Sequence, residues 1–221
     1  MLTNADANYT AAEYVRQQIK RVVKDKETAE ILCPRSYPIG TKRICIDTGY
    51  FETYNRENVK LVDISKKPIQ RLVADGIIVD DQLYAFDSII FATGFDAMTG
   101  SIFNVDIKGR GGLALKEKWN AGPKTYLGLM SASFPNLFMI TGPGSPSVKS
   151  NMIMSIEQHV DLVIETLLSM RRKGLSVVEP ELEAENKWVD HVQEVANKTL
   201  FPQANSWYTV SYTHLTLPTI S

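Results

Sequence analysis

Cysteine is scarce: Cys33 and Cys45 are the only two in 221 residues. That is too few for a disulfide framework, and their spacing is not that of metal ligands. A reducing, cytoplasmic setting is the default. Excess charge is lacking as well, with 24 Lys and Arg against 25 Asp and Glu for a net charge of −1. Nucleic-acid binders normally carry a basic excess or a basic face, so no nucleic-acid partner is expected. No apolar run approaches the ~18 residues of a membrane-spanning helix, and the first residues lack the basic flank and apolar stretch of a signal peptide. The three histidines, His159, His191 and His214, are unclustered. No Ser/His/Asp set and no metal cluster can be assembled from their spacing, and no internal repeat is present.

What is present is an ordinary globular chain, 44% hydrophobic and 22% charged, long enough for one large domain or two modest ones. The first forty residues read as helix. Thr10 and Glu13 form a capping-box pattern, Val15, Ile19, Val22 and Val23 repeat at helical spacing, and Pro34 and Pro38 stop the run. His159, on a later helix, reads as an ordinary helix residue beside the polar face. From Arg43 to Thr93 short β-rich runs follow one another: 43–48, 59–64, 69–73, 76–79, 83–86 and 88–93. Asp75-Gly76 and Asp80-Asp81 supply turn chemistry between them. Residues 88–92 and Leu137–Ile140 are continuously apolar, as strands buried on both faces are. A long helix with Ile153, Ile156, Val160, Val163, Leu167 and Met170 on one stripe ends at Lys173-Gly174. A second begins at Pro180 and carries Leu182, Trp188, Val189, Val192, Val195 and Leu200 on one side. Residues 210–221 continue neither pattern and read as a non-native tail.

Three constellations carry chemistry. Thr141 to Asn151 is a glycine-rich turn between a strand and a helix. Backbone N–H groups at such a helix start attract anionic or carbonyl-rich ligands, and Gly142 and Gly144 permit a close approach. The same residues also suit a plain β–α connection. Phe91-Ala92-Thr93-Gly94-Phe95-Asp96 places small residues at a strand's carboxyl end, where open α/β sheets bind ligands. Gly40-Thr41-Lys42-Arg43 sets two cations beside a glycine, which suits a phosphate or simply a solvated surface.

Together these stretches resemble the flavin-dependent (type I) Baeyer–Villiger monooxygenases, close to the phenylacetone and cyclohexanone monooxygenases. The resemblance runs from about Pro34 to Thr209. It rests on Gly-Thr-Lys-Arg (40–43), Phe-Ala-Thr-Gly-Phe-Asp-Ala (91–97), Pro-Asn-Leu-Phe (135–138), Gly-Pro-Gly-Ser-Pro-Ser (142–147) with Ser-Asn-Met (150–152), and Ser-Trp-Tyr-Thr (206–209). It implies an α/β flavoprotein with two Rossmann-like dinucleotide-binding domains, one for FAD and one for NADP, here incomplete. Residues 1–40 would be a helical segment attached to the NADP domain, 41–96 the end of that domain, and 97–209 the end of the FAD domain. The implied reaction inserts one oxygen atom of O₂ beside the carbonyl of a small ketone through a peroxyflavin, giving an ester or lactone at the expense of NADPH.

By the same resemblance Lys42 holds the 2′-phosphate of NADP, and Arg43 is the catalytic cation over the flavin. Gly142, Pro143, Gly144 and Ser145 lie against the flavin, and Gly94 and Asp96 mark the return to the FAD domain. Ser147 and Val148 shape the ketone pocket; Met152 sits by the reactive flavin edge, and Trp207 packs on NADP beside the substrate. The resemblance also expects a FAD glycine motif, an NADP glycine motif and a family fingerprint that these residues do not contain. The chain therefore reads as the middle and late part of an enzyme, inactive alone. Competing readings are an amine- or sulfide-oxygenating flavin monooxygenase, a pyridine-nucleotide disulfide reductase, and an inert truncated chain.

Overall fold

A computed structural model describes residues 1–94, 99–145 and 151–204. The chain divides into two compact units. One consists of residues 9–36 and 44–94, the other of residues 1–8 and 37–43 with the described residues after 94.

Helix α1 (Ala5–Val22) starts earlier than the Thr10–Glu13 pattern predicts. Asn4 is the reason: its Oδ1 accepts the Ala7 N–H at 2.8 Å, a side-chain cap that leaves Thr10 inside the helix. Nor does one helix run to Pro34. Asn55 interrupts it by accepting the Lys24 N–H and donating to Val22 O. Asp25 then caps a new helix, α2 (Lys26–Leu32), by accepting the Thr28 N–H. Ile19, Val23, Ala29 and Cys33 form the buried cluster where the two helices meet, flanked by Phe51 and Tyr54. Those two rings lie at the short helix α3 (Tyr50–Thr53).

The sheet in the same unit is an antiparallel meander of β1 (Ile69–Val73), β2 (Gly76–Val79) and β3 (Gln82–Ala85). Asp80 and Asp81 both have positive φ, 51° and 58°. That is the two-residue hairpin turn whose twist matches its strands. Gln70 braces it by exchanging hydrogen bonds with Asp81.

Four expected strands do not form: 43–48, 59–64, 88–93 and 137–140 have no strand assignment. A doubly buried strand needs neighbours on both edges to receive its N–H and C=O groups. Among the described residues no ladder forms for these runs. In 43–48 and 88–93 large side chains are accordingly open, with Ile46 96%, Ile90 91% and Phe91 63% exposed, whereas Met139 of 137–140 is buried without a strand.

The other unit has its core at Leu115, Trp119, Phe134 and Met139, with Ile102, Phe103, Ile107, Leu113 and Leu137 packed against them. Two single-turn helices, α4 (Gly100–Phe103) and α5 (Leu115–Lys118), supply part of it. Helix α6 (Met152–Lys173) has the expected extent but not the expected buried stripe: Ile153, Val160 and Leu167 are exposed, and Ser155 and His159 are its buried residues. Asn151 caps its start by accepting the Ile153 N–H, and Gly174 ends it in the left-handed conformation. Helix α7 (Leu182–Asn197) begins two residues after Pro180. None of the described helices is long and apolar enough to cross a membrane.

Candidate functional site: a tethered glycine turn

Residues 124–145 contain almost no regular structure, yet long-range bonds fix them. At their base lies a buried ion pair that hydropathy does not announce. Glu185 of α7 is fully buried, and its carboxylate accepts from Lys118 Nζ at 2.7 and 3.0 Å and from the Ala132 N–H at 2.8 Å. The Ser131 hydroxyl lies 3.0 Å from Glu185 Oε1 and 2.9 Å from the Lys124 carbonyl. Lys118 Nζ also lies 2.6 Å from Ala132 O and 2.9 Å from Ser131 Oγ, so the ammonium's N–H groups are shared among these oxygens and the carboxylate. Every charge is paired and hydrogen-bonded, the condition under which a buried pair is tolerated.

On this base sits the turn from Thr141 to Ser145, held from several directions. The Gly142 N–H donates to Gly128 O at 3.0 Å. The buried Thr125 hydroxyl donates to Pro143 O at 2.6 Å, and Trp188 Nε1 to Gly144 O at 3.4 Å. Gly142 is required by the chain itself: a Cβ there would meet Gly128 O at 2.7 Å, and one on Gly128 would meet Ser145 Cβ at 2.4 Å. Such distances leave room for hydrogen only. Gly144 takes a positive φ of 78°.

His159 is the residue that the sequence misleads about most. It is not beside the polar face but 8% exposed, and its Nδ1 accepts the Thr141 N–H at 3.0 Å. Thr141 has φ +52°, a conformation that a β-branched residue rarely adopts. Burial pushes the His159 pKa below its ordinary value. A nitrogen that accepts carries no proton, so the fold needs the neutral ring. The folded pKa being the lower one, this contribution is complete above about pH 6.5 and is lost as pH falls through the folded value. In the full-length protein, the denaturant midpoint is expected to drop between pH 7 and 5, and to drop less in His159→Asn. Parallel pH profiles for the two proteins would contradict this.

The second element is the 37–43 loop. Asn8, 4% exposed, pairs its amide with both backbone groups of Ile39: Oδ1 accepts the N–H at 3.0 Å and Nδ2 donates to the carbonyl at 2.9 Å. Thr41 is fully buried, with its hydroxyl and its N–H both donating to Pro38 O. Beyond it Lys42 and Arg43 are exposed, and the Lys42 ammonium stands 4.4 Å from the centre of the Tyr37 ring.

Of the remaining expected residues, Gly94 has φ +87° and open space at its Cβ position, and Met152 is the first residue of α6, 37% exposed. Asp96, Ser147, Val148 and Trp207, like residues 210–221, lie outside the described residues. The tethers Thr125, Gly128, His159, Trp188 and Asn8 were not foreseen. Only Glu185 left a trace: it stands three residues after Leu182 and four before Val189, on the apolar stripe.

No protein-family model matches the chain. Relatives are nevertheless clear. Over 208 residues it is 40% identical to 2-oxo-Δ3-4,5,5-trimethylcyclopentenylacetyl-CoA monooxygenase of Pseudomonas putida, covering 94% of this chain and 38% of the relative. A Baeyer–Villiger monooxygenase of Pseudooceanicola batsensis is 41% identical over 206 residues, covering 93% and 37%. Phenazine N-monooxygenase PhzNO1 of Lysobacter antibioticus is 40% identical over 202 residues, covering 91% and 37%. The crystal structure of OTEMO complexed with FAD and NADP superposes with a TM-score of 0.89 at 40% identity, over 93% of this chain and 39% of that one. The chain thus spans little more than a third of the length of these relatives. By sequence and by fold alike, the chain matches a part of the Baeyer–Villiger monooxygenases.

Proposed function

We propose that the chain carries the middle and late part of an FAD- and NADPH-dependent enzyme that inserts one oxygen atom of O₂ beside a ketone carbonyl, giving an ester or lactone. The observation that carries this reading is the Thr141–Ser145 turn, fixed by its tethers in a segment alike in fold to a flavoenzyme solved with FAD and NADP. The residues present fit both groups. The turn is a rigid backbone surface with a left-handed glycine, suited to a flat ring, and the 37–43 loop offers two exposed cations from a buried anchor. Bound FAD, reduced by NADPH, supplies the activation of O₂. We place the reaction in the cytoplasm, with residues 1–96 in the NADP-binding part and 97–209 in the FAD-binding part.

The residue roles follow from chemistry. Gly142, Pro143, Gly144 and Ser145 present backbone to the flavin. Lys42 attracts the 2′-phosphate as a point charge, and Arg43 stabilises negative charge as it develops on oxygen. Ser147, Val148, Met152 and Trp207 border the substrate, and Gly94 with Asp96 marks the passage between the two parts. Lys42→Ala in the full-length enzyme is expected to raise KM for NADPH about tenfold to a hundredfold, the usual loss for a charge-assisted bond. KM for NADH should barely move; equal losses with both would refute the phosphate role.

A second reading, oxidation at nitrogen, is favoured by the phenazine N-monooxygenase relative. One experiment separates the two. The full-length protein is given NADPH, ¹⁸O₂, and a panel of cyclic and aryl ketones beside phenazines and tertiary amines. Labelled ester supports the first reading and labelled N-oxide the second; neither product with sustained NADPH oxidation would overturn both.

A further inference from the structure

Three of the turn's four tethers satisfy its carbonyls or rest on backbone: Thr125 and Trp188 donate to Pro143 O and Gly144 O, and Gly128 receives the Gly142 amide. The fourth is different in kind. Thr141, held at φ +52° directly before the turn, has its amide received by a buried imidazole two helical turns inside α6. The bond closes an 18-residue separation and so ties the entry of the turn to the helix that leaves it.

We infer that His159 is a positioning residue for the Thr141–Ser145 turn, acting through Nδ1 as acceptor of the Thr141 amide and thereby fixing the backbone offered to the flavin. This rests on the reading that the turn faces FAD. Its geometry makes a sharp demand. Only the tautomer with the proton on Nε2 leaves Nδ1 free to accept. An asparagine at 159 can bring Oδ1 close to where Nδ1 stands, whereas a glutamine brings its oxygen close to the Nε2 position instead. The two amides are equally polar and neither titrates, so a difference between them reports the Thr141 bond alone.

The test uses the full-length holoenzyme and measures release of FAD by flavin fluorescence, with the visible flavin spectrum as a second readout. His159→Asn is expected to hold FAD within about threefold of the parent. His159→Gln should weaken it about tenfold to a hundredfold, the range for leaving a half-buried donor unpaired, and shift the flavin bands. Affinity for NADP should stay unchanged in both, which separates a moved turn from a damaged fold. Asn and Gln variants that behave alike, whether both tight, both weak or both unfolded, overturn the proposal. A parent protein that binds no FAD refutes the functional reading instead. The ¹⁵N spectrum of its histidines then decides the tautomer: a proton on Nδ1 of His159 overturns this inference too.

Discussion

Arg43→Ala, in the full-length enzyme, is expected to lower ester formation by about 10²–10³-fold while flavin reduction by NADPH stays within about one order of magnitude. The range is the usual cost of removing one group that stabilises a developing oxyanion. The split between the two steps follows from when charge appears. Hydride transfer comes before any negative charge accumulates on oxygen, so a cation aimed at that oxygen is needed later. NADPH oxidised without ester should appear as hydrogen peroxide. Arg43→Lys should rescue little, since a point charge lacks the planar fork of a guanidinium. The loop supports the assignment mechanically: Asn8 anchors the backbone at Ile39, four residues before Arg43, and Thr41 anchors it two residues before. Stopped-flow reduction measured beside ester and peroxide assays checks it. An alanine variant that makes ester at near parental rate would leave Arg43 a surface cation and remove the charge-stabilising role.

The second large effect concerns stability. Lys118→Met leaves the Glu185 carboxylate, fully buried, with only the Ala132 amide and the Ser131 hydroxyl as partners. Uncompensated buried charge of this kind costs about 3–5 kcal/mol, a large share of the stability of an ordinary domain. Glu185→Gln should cost less, because an amide oxygen still accepts from Ala132. Lys118→Met with Glu185→Leu should recover part of the loss, yet the Ala132 N–H would remain without an acceptor, worth about 1–3 kcal/mol. Denaturant midpoints of the four proteins give the comparison. A Lys118→Met midpoint equal to the parent's would mean that water reaches the pair.

What the sequence disclosed was local. Helix α6 could be bounded from its stripe and from Lys173-Gly174 because caps and periodicity act within a few residues. The three-stranded meander was legible for the same reason, with Asp80-Asp81 marking its turn. The same logic failed where a run needed a distant partner. Residues 88–93 are as apolar as any buried strand, but apolarity does not supply a neighbour to bond with. At the site, the glycines located the turn, and nothing nearby could say what held it. Its tethers come from Thr125, Gly128, His159 and Trp188, which are 14 to 44 residues away from their partners. The helical stripe could even mislead, since it puts His159 beside the polar face, as an ordinary helix residue, when the ring is buried and bonded to Thr141.

The Lys118–Glu185 pair also sets an order of events as the chain is made. Ser131 and Glu185 are separated by 54 residues. At a synthesis rate of about 5–20 residues per second, roughly 3–11 s pass between the appearance of one and of the other. Throughout that interval the Lys118 ammonium has no carboxylate to meet, and the Ala132 amide has no acceptor in α7. The residues that cradle the glycine turn are thus translated well before the helix that locks them. A ribosome paused short of position 185 would display this segment loose, open to a protease or a chaperone. The last third of the chain decides when the middle third becomes a site.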